Sequence, residues 1–182
     1  MTAPVAVVVD ADVLRAAGGT EHPTSKRARQ ALEAIRAGEH RLVLSGPLLR
    51  EYKNHESRFA TLWRSNMVAR KRLQHWDYVE DSALRNRLVD ALPKDAVSQQ
   101  REVLKDAHLL EAAVATGQRI VSMDAKAKAL FQKACPKLQA HGCLLWGDLT
   151  EQPEGTIKWI EDGCRDDLAR HLCPKKAPKH NR

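Results

Sequence analysis

The sequence predicts an α/β domain with a central, mostly parallel β-sheet flanked by α-helices on both faces. Three observations carry that prediction. Val5 to Val9, Arg41 to Ser45 and Arg119 to Met123 are short apolar runs without the polar alternation of a half-exposed strand, so they read as strands covered on both faces. Longer stretches with apolar residues at helical spacing separate them. Two of the runs end near or on an aspartate, Asp10 and Asp124, at the strand ends where open parallel sheets bind ligands.

Each element follows from local chemistry. After the first strand, Gly18, Gly19 and Pro23 mark a loop. Thr24 or Ser25 is suited to cap a helix whose stripe is Ala28, Ala31, Leu32 and Ile35 and whose stop is Gly38. Gly46-Pro47 ends the second strand and opens a helix carrying Leu48, Leu49, Glu51 and Tyr52. Residues 58–76 hold Arg58, Arg64, Arg70, Lys71 and Arg72 and no acid, while Phe59, Leu62, Trp63 and Met67 fall at helical spacing. One face should pack and the other present cations, with Trp63 in the core. Asp77 to Asp81 closes that region, and Lys94 to Gln100 reads as a polar connector. Glu102 to Thr116 reads as one helix, with Val103, Ala107, Leu110, Ala113 and Val114 inward and Gly117 as its stop. A helix over Ala125 to Ala134 and a fourth strand over Gly142 to Trp146 complete the domain. Residues 1–150 form that domain. Residues 151–182 form an extension whose end, with Lys175, Lys176, Lys179 and Arg182 and no acid after His171, is expected to be flexible. No internal repeat is present.

Composition narrows the function. The 182 residues are 43% hydrophobic and 29% charged, which supports a real core. Thirty Lys and Arg against 23 Asp and Glu give a net charge of +7, suited to a polyanionic partner. No apolar run approaches the ~18 residues of a membrane helix. The apolar start has no basic region before it and meets two aspartates, so it does not read as a signal peptide. A cytoplasmic protein without a membrane partner is expected. The cysteines, Cys135, Cys143, Cys164 and Cys173, form no CxxC pair. His141-Gly-Cys143 and His171-Leu-Cys173 repeat a His-x-Cys pattern that could supply zinc ligands but matches no usual zinc module, so reduced thiols are expected.

The chemistry lies in the acids. Asp10 and Asp124 end strands, Glu51 sits in the helix after the second strand, and Asp106 lies early in the long helix. In a parallel sheet these four converge at one edge. Four ionised carboxylates in one cleft repel one another and lose solvation. A hard divalent cation, Mg²⁺ or Mn²⁺, relieves both costs and suits oxygen ligands. Carboxylates, a divalent metal and a basic rim together fit phosphodiester hydrolysis by a metal-activated water.

With these residues in view, the chain resembles the PIN-domain nucleases. The stretches that carry the resemblance are VVVDADVL (Val7 to Leu14), LVLSGPLLREY (Leu42 to Tyr52), KDAHLLEAAVATG (Lys105 to Gly117) and RIVSMD (Arg119 to Asp124), in family order over residues 5–150. The resemblance implies a PIN-like fold, Mg²⁺- or Mn²⁺-dependent endoribonuclease activity, and Asp10, Glu51, Asp106 and Asp124 as catalytic and metal-holding acids. It implies a supporting role for the Ser122 hydroxyl, and it puts Asp12 where many members carry Asn or another small polar residue. Small bacterial members are commonly toxins, which makes an antitoxin protein and a homodimer candidate partners beside the RNA substrate. Lys126 departs from the pattern, standing where many members carry a further acid, and should weaken a second metal site.

Other residues weigh as follows. Arg64, Arg70, Lys71 and Arg72 are candidates to neutralise RNA phosphates. So are Lys26 and Arg27, whose place at a helix start opposes the macrodipole and favours a nearby anion. Glu33, Glu56 and Glu111 read as exposed helix residues, and His108 as structural, two residues from Asp106 on a different helix face. Two rival functions remain. The Asp-x-Asp of Asp10 and Asp12 resembles the haloacid-dehalogenase phosphohydrolases, which use a covalent aspartate but need a close acidic pair after a later strand. A PIN-like module could also bind RNA or protein without cutting it.

Overall fold

A computed structural model describes residues 3–138 and 143–173. Among these, five strands form one sheet in the order β3-β2-β1-β4-β5, with every neighbouring pair parallel: β1 (Ala6–Val9), β2 (Arg41–Leu44), β3 (Leu73–His75), β4 (Arg119–Ser122) and β5 (Leu145–Asp148). The α/β class and its parallel sheet are as predicted. Val7, Val8 and Val9 are fully buried, each worth roughly 1.5–3 kcal/mol in removed apolar surface. That two-sided burial is why β1 reads as an unbroken apolar run.

The chain steps from β1 to β2 to β3 in one direction, then returns past β1 to β4 and continues to β5. Right-handed crossovers therefore put the two sets of helices on opposite faces. The first set is α1 (Ala11–Ala16), α2 (Pro23–Ala37), α3 (Gly46–His55) and α4 (Arg58–Ala69), in which α1 packs on α2 and α3, and α2 on α4. The second is α5 (Ser82–Asp90), α6 (Val97–Lys105), α7 (Ala107–Ala115), α8 (Ala125–Lys133) and α9 (Cys135–Leu138), in which α6 packs on α5, α7 and α8. The direction of winding reverses between β1 and β4, which makes their carboxyl ends the switch point of the sheet.

The expectation of a single helix over Glu102 to Thr116 is corrected. The backbone breaks at Asp106, which ends α6 and begins α7, and α6 starts at Val97 within the expected connector. The fourth expected strand is the fifth in fact and runs Leu145–Asp148; its expected first residue, Gly142, lies outside the described residues. The basic segment 58–76 is a helix followed by β3, a short edge strand. His22 caps α2 ahead of Pro23, one turn-position earlier than Thr24 or Ser25.

Residues past 150 build into the same core. α10 (Pro153–Glu161) lies against α2 and β5, burying Thr156, Trp159 and Ile160. Gly147 makes that approach feasible, since a Cβ there would press on Thr156 and Trp159. His40, fully buried, accepts from Val5 N through Nδ1 and faces Ile160 O through Nε2, tying α10 to the feet of β1 and β2. Gly117 turns the chain into β4, and a Cβ there would collide with Ala6 O and Ala6 Cβ at the foot of β1.

The cysteines correct a second expectation. Cys135 and Cys173 are joined as a disulfide, with Cα atoms 5.2 Å apart and therefore in reach of each other, rather than standing as reduced thiols. Cys164 is a buried thiol. His141 and the lysines and arginine of the tail beyond 173 lie outside the described residues. No helix among the described residues is long and apolar enough to cross a membrane.

Candidate functional site

The switch point gathers the predicted aspartates. Asp10 follows β1 directly, and its N–H donates to Val121 O at 2.9 Å, which locks it beside the end of β4. Its carboxylate accepts from Ser122 Oγ at 2.8 Å, and Ser122 Oγ in turn accepts from Asp124 N at 2.9 Å. One buried hydroxyl, that of Ser122, thus bridges Asp10 and the backbone of Asp124. Asp124 also caps α8 by accepting from Ala127 N at 2.8 Å. An ionised carboxylate offers about four lone-pair sites, so this capping leaves acceptors for a ligand. Asp12 turns toward backbone, accepting from Met123 N at 3.1 Å. Asp106 is a helix junction residue whose side chain makes no capping hydrogen bond, so the break between α6 and α7 leaves its carboxylate uncommitted.

Electrostatics link these groups. Burial raises the Asp10 carboxyl above the ordinary carboxylate range, and the charges of Glu51 and Asp124 add to it. Burial and then Asp10 and Asp124 push Asp106 up to about 6. Burial, Asp10 and Asp124 push Asp12 up to about 8. Among the described residues, no lysine or arginine forms an ion pair with Asp10, Asp12, Asp106 or Asp124. Lys126 turns to Glu102 at 2.7 Å instead. All the donors are hard carboxylate oxygens left in mutual repulsion, a set that fits Mg²⁺ or Mn²⁺. No three of them lie within 4.8 Å of one another among the described residues, so they outline a basin and do not grip a single point.

Glu51 sits at the margin, with Oε2 3.2 Å from His108 Nε2. Burial works to raise its pKa, but the hydrogen bond and charge of His108, helped by Lys105 and His55, bring the net below the usual value. His108 is raised in return, the Glu51 contact outweighing its own burial. His108 Nδ1 lies 3.0 Å from Lys105 O. Counted along one continuous helix from Asp106, His108 would point away from the site. The break at Asp106 re-aims α7, and helical spacing from Asp106 therefore misjudges its direction.

The expected cations divide by end of the sheet. Arg70, Lys71 and Arg72 lie between α4 and β3, at the amino ends of the strands, opposite the acids. Arg72 is ion-paired with Glu39 at 2.7 Å, and Arg64 with the nearly buried Glu56 at 2.6 Å. Arg70, Lys71 and Arg72 therefore do not rim the acidic basin, and Arg64 is committed to Glu56. Lys26 and Arg27 begin α2 on the correct end. Arg27 joins Asp12, Arg15, Thr24, Met123 and Thr150 around a cleft of about 290 Å³. On the other flank, a cleft of about 470 Å³ brings Arg50 and Lys105 beside Glu51 and His108. Arg15, Arg50 and Lys105 were not singled out from the sequence. Their signal is position, each lying within five residues of a site acid.

Two of the three acids expected to be exposed, Glu111 and Glu56, prove structural. Glu111 is buried, bound by Arg85, by Tyr78 Oη at 3.1 Å and by Asp81 N at 3.0 Å. Glu56 is nearly covered by its bond to Arg64, while Glu33 pairs with Arg36 at the surface. Asp148 ends β5 much as Asp124 ends β4. Despite burial, its pairing with Lys128 at 2.8 Å and two backbone N–H donors bring its carboxyl below the usual range.

Compared with known proteins, the chain matches no family model, no curated protein and no solved structure.

Proposed function

We propose that the chain is a divalent-metal-dependent endoribonuclease of PIN type, hydrolysing RNA phosphodiesters by in-line attack of water. One observation carries the reading: the buried Asp10 at the end of β1 and the half-buried Asp124 and Asp106, at the end of β4 and the α6–α7 junction, act on one another electrostatically, and among the described residues none of them is ion-paired with a lysine or arginine. Such a set is costly unless a cation joins it. Asp10, Asp106 and Asp124 would hold Mg²⁺ or Mn²⁺, with Glu51 at the margin; the bound ion supplies a more acidic water and charge stabilisation at a phosphoryl oxygen.

The chain's own residues do the rest. Ser122 fixes the orientation of Asp10, and His108 fixes that of Glu51. Arg15 and Arg27 on one flank and Arg50 and Lys105 on the other supply cations for successive phosphates of a strand crossing the basin. The reading brings with it an antitoxin protein and a homodimer as partners, and the cytoplasm as compartment, where the Cys135–Cys173 bond would be open to reduction.

The test is to incubate the purified chain with total RNA, with Mn²⁺ or with EDTA, beside Asp10→Asn. Cleavage that needs Mn²⁺ and is lost in Asp10→Asn while the circular dichroism spectrum is kept supports the reading. Wild-type cleavage by Asp10→Asn sinks it.

A further inference from the structure

A second cluster of donor atoms lies away from the acidic basin and is chemically unlike it. Cys143, Asp166 and His171 bring one ligand atom each within 4.8 Å of one another. His171 Nε2 is 2.6 Å from Asp166 Oδ1, and Cys143 Sγ is 2.9 Å from Nε2 and 3.0 Å from Nδ1. Backbone pairing presents these groups to each other. His171 forms an antiparallel bridge with Leu145 of β5, and Leu172 N donates to Leu144 O at 2.8 Å. Cys143 stands two residues before β5, and Asp166 enters the short 3-10 turn Leu168–Arg170 that precedes His171.

We propose that Cys143, Asp166 and His171 form a binding site for Zn²⁺ that fastens the 166–171 segment to the start of β5. A thiolate, an imidazole and a carboxylate form a borderline donor set that selects zinc over Mg²⁺ or Mn²⁺. Binding displaces the thiol proton of Cys143 to solvent and takes His171 as neutral imidazole. The His171 side chain is 4% exposed and that of Asp166 is 71% exposed, so the cluster opens on the Asp166 side. A nucleophile relay of Cys, His and Asp fits less well. Near-equal distances from Sγ to both ring nitrogens put the sulfur off the lone-pair direction of either, whereas a relay needs an in-line hydrogen bond to one of them.

The test uses Co²⁺ as the probe on the metal-stripped full chain, with Mg²⁺ in excess to occupy the acidic basin. The expected result is one cobalt per chain with thiolate-to-metal absorption, displaced by one equivalent of Zn²⁺. Cys143→Ser loses the absorption. His171→Gln weakens binding by more than ~100-fold, beyond the range of an outer-shell partner. Asp10→Asn and the double variant Cys135→Ser, Cys173→Ser retain the band, which separates this site from the basin and from the disulfide sulfurs. As a check that does not depend on a variant folding, Zn²⁺ should slow alkylation of Cys143 in the wild-type chain, read by peptide mapping. Absence of the thiolate band in wild type, its persistence in Cys143→Ser, or an unchanged alkylation rate overturns the site.

Discussion

Two groups of buried carboxylates in this chain have opposite surroundings. Glu111, Glu56 and Asp148 each lie against a cation, Arg85, Arg64 and Lys128 respectively, and each fixes one element to another. Asp10 and Asp106 lie among other acids, and burial first, with those neighbouring charges adding to it, raises both carboxyls. Burial is common to both groups; what separates them is whether folding supplied the counter-charge. A buried acid whose partner is built in is architecture. On the proposed function, one left among other acids is where a cation would be held, and a place at the sheet's switch point suits that role.

The comparison is broken most directly by Asp10→Asn. Cleavage should fall by at least ~100-fold, beyond what an outer-shell partner of a metal ligand contributes. Metal-free thermal stability should hold or rise, since a repelled buried charge is removed. Glu111→Ala should do the reverse: activity per folded molecule is kept, but stability falls by about 3 kcal/mol because Arg85 loses its main partner in a largely covered site. Thermal melts read both. A destabilised Asp10→Asn beside a neutral Glu111→Ala would invert the assignment of the two groups.

The dependence on pH sharpens the contrast. With carboxyls raised to about 6 at Asp106 and about 8 at Asp12, the folded chain holds protons that the unfolded chain has released. Stability in EDTA should therefore fall as pH rises from about 4 toward 8. The raised His108 contributes with the same sign, its stabilisation being lost as pH climbs. Mn²⁺ should restore stability more at pH 8 than at pH 5. Melting curves at the two values decide it, and an equal Mn²⁺ effect at both would argue against proton–metal competition.

The smallest effect concerns the cations. Charge reversal of Arg15 and Arg27 should weaken RNA binding by about tenfold and reduce its salt dependence, while reversal of Arg70 and Lys71 should change it by less than about twofold. Filter binding across a salt series measures both. Comparable losses would mean that RNA also reaches the amino ends of the strands.

Much of this arrangement was legible in the sequence. A short apolar run ending in aspartate carries its own direction, so Asp10 and Asp124 are assigned to one sheet edge by the sequence alone, while Ser122 is suggested only by the family resemblance. The break at Asp106 could not, because residues 102–116 have continuous helical propensity and only the backbone turn separates α6 from α7. That turn also hid the contact of His108 with Glu51. β3 was missed because Leu73, Gln74 and His75 form a partly exposed edge with no apolar alternation. The basic stretch 58–76 was conspicuous in composition, but composition does not say at which end of a sheet a charge emerges. The His-x-Cys repeat was visible too, yet its members sort across strands: Cys173 joins Cys135, while His171 meets Cys143.

The absence of a side chain at Gly117 has a reach beyond its own turn. Ala6 presses on that spot, so even a methyl group would act as a wedge driven between the first and fourth strands at their base. Those two strands carry Asp10 and Asp124 at their far ends, and a splay at the bottom is amplified at the top. Gly117→Ala should accordingly yield a chain that still folds but sets Asp10 and Asp124 out of register, so that Mn²⁺ titrated into it binds more weakly than to wild type, a lesion felt a full strand length from the residue that was changed.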